Sequence, residues 1–72
     1  MTTSAVVAKR AESVFLKANP GAAIVWLRQP YLVKYPTGLV EWYGRFEARA
    51  KGYRTKVVLV NVSKDGTEVM CR

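Results

Sequence analysis

The triplet Asn19-Pro20-Gly21 divides the 72-residue chain into two segments of different chemistry. Proline lacks a backbone N–H and ends a helix, and the residue before it is biased away from the helical region. Before the triplet, apolar residues recur at spacings of three and four, and after it β-branched and aromatic residues dominate. The sequence therefore predicts one small domain spanning 1–72, in which a helix precedes a set of strands.

The predicted helix covers residues 4–18, with Ser4 as its N-cap. Its charged side chains lie mostly on one side. The opposite side carries an apolar stripe formed by Val7, Ala11, Val14, Phe15 and Ala18. A stripe of this kind packs against another element, so we expect the helix to cover one face of a sheet.

Three turn signals divide the rest of the chain into strands. Tyr35-Pro36-Thr37-Gly38 has the pattern of a type I turn with a bulged glycine, which closes a three-residue hairpin loop. Ser63-Lys64-Asp65-Gly66 repeats this chemistry, and Lys51-Gly52 can supply a two-residue turn. The predicted strands cover about 22–34, 39–50, 53–62 and 67–71. The predicted fold is α+β, with one N-terminal helix packed on a four-stranded antiparallel β-meander.

The stretch 38–53, GLVEWYGRFEARAKGY, is compatible with a helix or with a strand. A helix would place Gly44 in its interior, at a cost of about 1 kcal/mol relative to alanine. A strand accounts for the alternation of polar residues from Glu41 to Lys51 and for the hairpin signals on both sides. We therefore interpret the stretch as a strand.

Loop lengths fix the registers of the predicted hairpins. The three-residue loop predicts the pairs Tyr35–Leu39, Tyr31–Tyr43, Leu32–Trp42 and Trp26–Ala48. The two-residue loop predicts the pairs Ala50–Tyr53, Glu47–Lys56 and Phe46–Val57.

In these registers, alternate side chains along each strand share a face. The face that we expect beneath the helix collects Ile24, Trp26, Leu32, Val40, Trp42, Phe46, Ala48, Ala50, Val57 and Leu59. The outer face has one part that is basic and contains tyrosines, and another part that is apolar. Since one helix covers only one face, the outer face is the predicted interaction surface.

Net charge favours a polyanionic partner, since the chain carries +7 at pH 7. Tyrosine rings stack on bases, and arginine and lysine neutralise phosphates. The sequence therefore predicts a small basic binding module that contacts nucleic acid through Tyr31, Tyr43, Arg45, Arg49, Arg54 and Lys56.

The apolar part of the predicted outer face favours an alternative function, protein–protein interaction. The residues that would form this interface are Val33, Tyr35, Val58, Val60, Val62 and Met70. A symmetric homodimer formed face to face, or a larger protein partner, would bury them. Small basic proteins that inhibit a larger machine, as phage-encoded regulators do, have a similar size and charge.

Catalytic and cofactor chemistry is not expected. The chain has no histidine and a single cysteine, Cys71, so the usual general base and the common metal-ligand sets are absent from the sequence. Its glycines match no nucleotide-binding spacing. Tyr43, Arg45, Glu47 and Lys56 would be the candidate catalytic group, but a paired Glu47 and Lys56 usually form only a surface ion pair. We expect neither an enzyme nor a small-molecule substrate.

The sequence also bears on location. No apolar run approaches the ~18 residues of a transmembrane helix, and the N-terminus has no basic region ahead of an apolar one. We expect a cytoplasmic protein without a membrane partner.

Overall fold

The structure is a computed structural model that describes residues 2–50, 52 and 54–72. Within these residues the chain forms one helix and four strands: α1 (Ser4–Ala18), β1 (Ala23–Lys34), β2 (Val40–Arg49), β3 (Lys56–Ser63) and β4 (Val69–Cys71). The strands form one antiparallel sheet in the order β1-β2-β3-β4, and α1 packs against it. The predicted α+β fold, one helix on a four-stranded antiparallel meander, is confirmed.

The start of α1 differs from the prediction by one residue. Thr3, rather than Ser4, is the N-cap, and its Oγ1 accepts a hydrogen bond from the backbone N–H of Val6 at 3.3 Å. The Ser4 hydroxyl instead donates to the carbonyl oxygen of Pro30 at 2.6 Å. This bond attaches the beginning of the helix to the middle of β1.

The buried side of α1 is rotated slightly from the predicted stripe. Three of the predicted residues are buried, but Val14 is 44% exposed and Ala8 is buried in its stead. The residues that the helix places against the sheet are Val7, Ala8, Ala11 and Phe15. Small residues at two of these positions let the helix backbone lie close to the strands.

The hairpin between β1 and β2 has the predicted turn. The Tyr35 N–H donates to the carbonyl oxygen of Leu39 at 2.8 Å, and the Gly38 N–H donates to that of Tyr35 at 3.0 Å. Gly38 has φ of 90°, a conformation that favours glycine. The predicted pair of Tyr31 with Tyr43 is confirmed.

Strand β1 contains two register shifts against β2 that the sequence prediction missed. Trp26 pairs with Phe46 rather than with Ala48, and Arg28 pairs with Arg45. Each shift adds one residue to β1, and an added residue exchanges the two faces of a strand. Trp26 therefore lies on the helix side, whereas Arg28 lies on the opposite side.

The irregular part of β1 packs closely on Gly44 of β2. A Cβ atom at Gly44 would lie 3.0 Å from the Trp26 ring and 3.2 Å from the carbonyl oxygen of Arg28. Pro30, which cannot donate a ladder hydrogen bond, sits in the same region, as predicted for an edge strand or a bulge. Gly44 thus permits the close approach of the two strands.

The connection between β2 and β3 is longer than predicted. β2 ends at Arg49 and β3 begins at Lys56, which pairs with Ala48 rather than with Glu47. The predicted pair Ala50–Tyr53 lies outside the described residues, because Tyr53 is not among them. The register of β3 is therefore displaced by one residue from the prediction.

This displacement reverses the faces of β3, because side chains alternate with a period of two residues. Val57 and Leu59, predicted to be in the core, are exposed, at 53% and 52%. Three valines predicted to form an outer interface are buried against α1 at 2% exposure or less: Val58, Val60 and Val62. The predicted placement of these three residues at an interface is wrong.

The core lies between α1 and the helix side of the sheet. Phe46, fully buried, makes edge contacts with Phe15 at 5.1 Å and with Trp26 at 5.0 Å between ring centroids. Cys71 is half-buried at the edge of this core, and burial raises the pKa of its thiol. The other residues of the buried cluster are Val7, Ala11, Trp42, Ala48, Val58, Val60 and Val62.

The turn between β3 and β4 also follows the prediction. The Gly66 N–H donates to the carbonyl oxygen of Ser63 at 2.9 Å. The Asp65 Oδ1 atom accepts hydrogen bonds from the Ser63 hydroxyl and from the N–H and hydroxyl of Thr67. These bonds lower the pKa of Asp65 to about 2. Arg10 of α1 donates to the Gly66 carbonyl oxygen at 3.1 Å and joins the turn to the helix.

Candidate nucleic-acid interface

The outer face is the side of the sheet opposite α1. In the described part of the chain no helix lies over it. The registers place on it Ala23, Val25, Arg28, Tyr31, Val33, Glu41, Tyr43, Arg45, Glu47, Arg49, Val57, Leu59, Asn61, Ser63, Met70 and Arg72. Four of these residues are arginines and two are glutamates, so the face carries a positive excess.

A line of exposed side chains, here called the arginine row, crosses all four strands. It consists of Arg28, Arg45, Leu59 and the C-terminal Arg72. Arg28 pairs with Arg45, Arg45 pairs with Leu59, and Leu59 exchanges two backbone hydrogen bonds with Arg72, at 3.1 and 2.9 Å. With strands about 4.8 Å apart, the row is roughly 14 Å long.

The position of Arg28 opposite Arg45 is unfavourable for the isolated fold, because like charges directly opposite each other destabilise a sheet. The Arg28 guanidinium lies 4.1 Å from the centroid of the Tyr31 ring, a contact that offsets about 0.5–1 kcal/mol at an exposed site. A bound anion would remove the remaining repulsion. The pair places two positive charges side by side on the outer face.

The two tyrosines predicted to stack on bases have different surroundings. Tyr31 is exposed and presents its ring, whereas Tyr43 is half-buried. The Tyr43 hydroxyl accepts hydrogen bonds from the Tyr35 hydroxyl at 2.9 Å and from the Asn61 side chain at 3.2 Å. The bond to Tyr43 is the main cause that raises the pKa of Tyr35 to about 12. Tyr31 is therefore the better stacking residue of the pair.

Arg45 and Arg49 lie on the outer face, as predicted, but two other predicted basic residues do not. Lys56 lies on the helix side, with its Nζ atom 5.8 Å from the centroid of the Phe15 ring. Arg54 belongs to the connection between β2 and β3 and borders a depression near the end of α1. The one-residue displacement of β3 accounts for the position of Lys56. Arg54 lies outside the strand because β3 begins only at Lys56, and it also borders a depression with Arg49.

Apolar side chains lie within the arginine row and beside it. Val57, Leu59 and Met70 are each about half exposed, at 52–53%. Of the residues predicted for a protein interface, Met70 and the half-buried Val33 lie on this face, and Tyr35 follows β1. The outer face therefore keeps an apolar component, supplied by other residues of β3 than those predicted.

Sequence reasoning missed Arg28 and Arg72 as members of the site. Arg28 is on this face only because of the register shift in β1, for which Pro30 is the available signal. Arg72 could have been found by extending the alternation of β4 by one residue beyond Cys71.

One end of the outer face is less suited to an anion. A shallow concavity there is bordered by the three carboxylates of Glu41, Asp65 and Glu68. Asp65 is already engaged by Ser63 and Thr67. Arg72 of the arginine row and Lys64 border the same concavity, whereas Arg28 and Arg45 do not.

No family model matches the chain, and neither curated proteins nor solved structures give a match. The described part of the chain has no helix of the length and apolar character needed to cross a membrane. The arrangement of the outer face is therefore the basis for a functional proposal.

Proposed function

We propose that the protein binds nucleic acid through the outer face of its sheet. The observation that carries the proposal is the arginine row, in which Arg28 lies directly opposite Arg45. Like charges are placed side by side on an exposed sheet surface, where Arg28 also contacts the Tyr31 ring. Phosphate groups are a ligand that makes this placement favourable.

The remaining features of the face support the same proposal. Arg49 adds a further positive charge on β2, and Tyr31 presents an exposed ring beside Arg28. The net charge of +7 attracts a polyanion over distances longer than a direct contact. Arginine and aromatic groups on an open sheet are the elements that single- and double-stranded nucleic-acid binders use.

The test is a titration of labelled mixed oligonucleotides at several salt concentrations, with the double variant Arg28→Gln/Arg45→Gln. We expect this variant to bind more weakly and to lower the slope of log affinity against log salt by about 0.7–0.9 for each phosphate that the protein no longer neutralises. The matched control is Lys9→Gln/Lys17→Gln, which removes the same charge from exposed positions on α1. Equal effects of the two double variants would contradict the proposal.

A second candidate is a protein partner on the same face, favoured by the half-exposed Val57, Leu59 and Met70. A face-to-face homodimer would bring two arginine rows together, which disfavours a second copy and favours an acidic partner with apolar side chains. Light-scattering mass, measured with and without the oligonucleotides, separates the two functions. A stable dimer that ignores nucleic acid would support the second candidate.

A further inference from the structure

The arginine row is interrupted by an apolar residue at its centre. Leu59 lies between Arg45 and Arg72 and is 52% exposed, and Val57 is its neighbour on the same face of β3. Met70 lies beside them on β4. A surface that bound only phosphates would gain no affinity from these side chains. Contact with a charged phosphate does not bury apolar surface favourably.

At the β1 end of the row, the Arg28 guanidinium stacks on the Tyr31 ring. This end therefore also combines a charged group with an apolar one. The guanidinium and the ring are 4.1 Å apart, and the ring is exposed. Planar guanidinium groups and tyrosine rings both stack on the faces of nucleobases. A base could extend this stack while its phosphate is held by Arg45.

An undistorted duplex makes less use of these features than a single strand does. Its base faces are stacked on one another, and its major groove, about 12 Å wide, admits a helix or a two-stranded ribbon rather than the face of a four-stranded sheet. An undistorted duplex laid on the outer face would therefore present mainly its phosphates and sugars to Leu59 and Tyr31, and exposing its bases in the minor groove would cost unstacking and kinking. Unpaired bases present the flat apolar surfaces that these side chains can contact.

We propose that the ligand of the outer face is single-stranded nucleic acid, whose chain crosses the β-strands along the arginine row. This inference rests on the proposed function. Phosphates would be held by Arg28, Arg45 and Arg72, and bases would contact Tyr31 and Leu59.

The experiment compares a labelled 12-nucleotide DNA strand, the RNA of the same sequence, and the blunt DNA duplex, all at one salt concentration. We expect at least one of the single strands to bind at least tenfold more tightly than the duplex. The variants Tyr31→Ala and Leu59→Ala should each weaken single-strand binding at least fivefold without changing the salt slope. They should leave duplex binding unchanged.

Leu32→Ala is the matched control, because Leu32 is a leucine of similar exposure that pairs with the buried Trp42 on the helix side. We expect no loss of single-strand affinity in this variant. Duplex binding as tight as single-strand binding, with the arginine dependence intact, would overturn this inference and leave the proposed function standing. Binding to none of the three nucleic acids would overturn both.

Discussion

The two sides of strand β3 carry similar residues, but one side is buried and the other is exposed. Val58 and Val60 are buried beneath α1, whereas Val57 and Leu59 are half exposed on the outer face. Composition cannot distinguish them, because residues 57–60 are all branched aliphatic. The register of β3 against β2 decides which set is buried: it places one set in the core and leaves the other exposed on the outer face. Hydrophobicity of a strand residue is therefore no guide to its burial until the loop before the strand is known.

The largest effect is expected from a carboxylate on the buried side of β3, compared with one on the exposed side. Val60→Glu buries an unpaired charge at a position 1% exposed, which costs several kcal/mol out of roughly 4–11 kcal/mol for a chain of this size. We expect this variant to be unfolded by circular dichroism at 25 °C. Leu59→Glu should fold with a melting temperature within a few degrees of the parent. The reverse outcome would mean that the register of β3 is the one predicted from the sequence.

A smaller difference in melting temperature is expected between substitutions of two adjacent β2 residues, Gly44 on the helix side and Arg45 on the outer side. Gly44→Ala places a Cβ atom 3.0 Å from the Trp26 ring and 3.2 Å from the Arg28 carbonyl oxygen. Overpacking of this kind costs about 1–3 kcal/mol, or a fall in melting temperature of about 4–8 °C per kcal/mol. Arg45→Ala, on the outer face, should change the melting temperature little. A thermal melt of both variants tests the difference, and an unaffected Gly44→Ala would contradict the close approach of β1.

The smallest change in melting temperature is expected from a substitution in the turn between β3 and β4. This turn aligns the two strands, with Val60 and Val62 facing inward. The folded-state pKa of Asp65, about 2, is below its ordinary value of 3.8 because Ser63 and Thr67 donate to the carboxylate. Because the pKa of Asp65 is lowered in the folded state, its ionised carboxylate stabilises the fold at pH values above the ordinary pKa. This contribution is lost as the pH falls from about 4 through about 2.

Asp65→Asn should therefore lower the melting temperature slightly at neutral pH. Melts from pH 7 to pH 2 should show the difference between parent and variant narrowing below pH 4. A difference that stays constant over this range would show that the ionised carboxylate does not stabilise the turn.

The parts of the fold that the sequence predicts well are those with local signals. The end of α1 follows from Asn19-Pro20-Gly21, and the turns at 35–38 and 63–66 follow from glycine at their fourth positions. The positions of Tyr31 and Arg45 are predicted correctly because the hairpin that joins their strands has a loop of defined length. Short-range chemistry is sufficient for these features.

The errors come from features that local chemistry does not determine. Lys51-Gly52 resembles a two-residue turn, yet β3 begins only at Lys56. An error of one residue in the start of a strand transfers every side chain to the other face, so Lys56 and Val60 are both predicted on the outer face but lie on the helix side. Packing of the valines against α1 selects the observed register, and such packing is visible only when helix and sheet are assembled.

The extra residue between Trp26 and Arg28 in β1 has a consequence for how such a surface can change in evolution. In an uninterrupted register continued from Trp26, Arg28 would face α1 opposite Gly44. Deleting Leu27 would remove the extra residue, but Arg28 would then follow Trp26 directly and would still lie on the outer face, in an uninterrupted ladder. Loss of the extra residue would therefore change the backbone of β1 without changing the charge of the outer face.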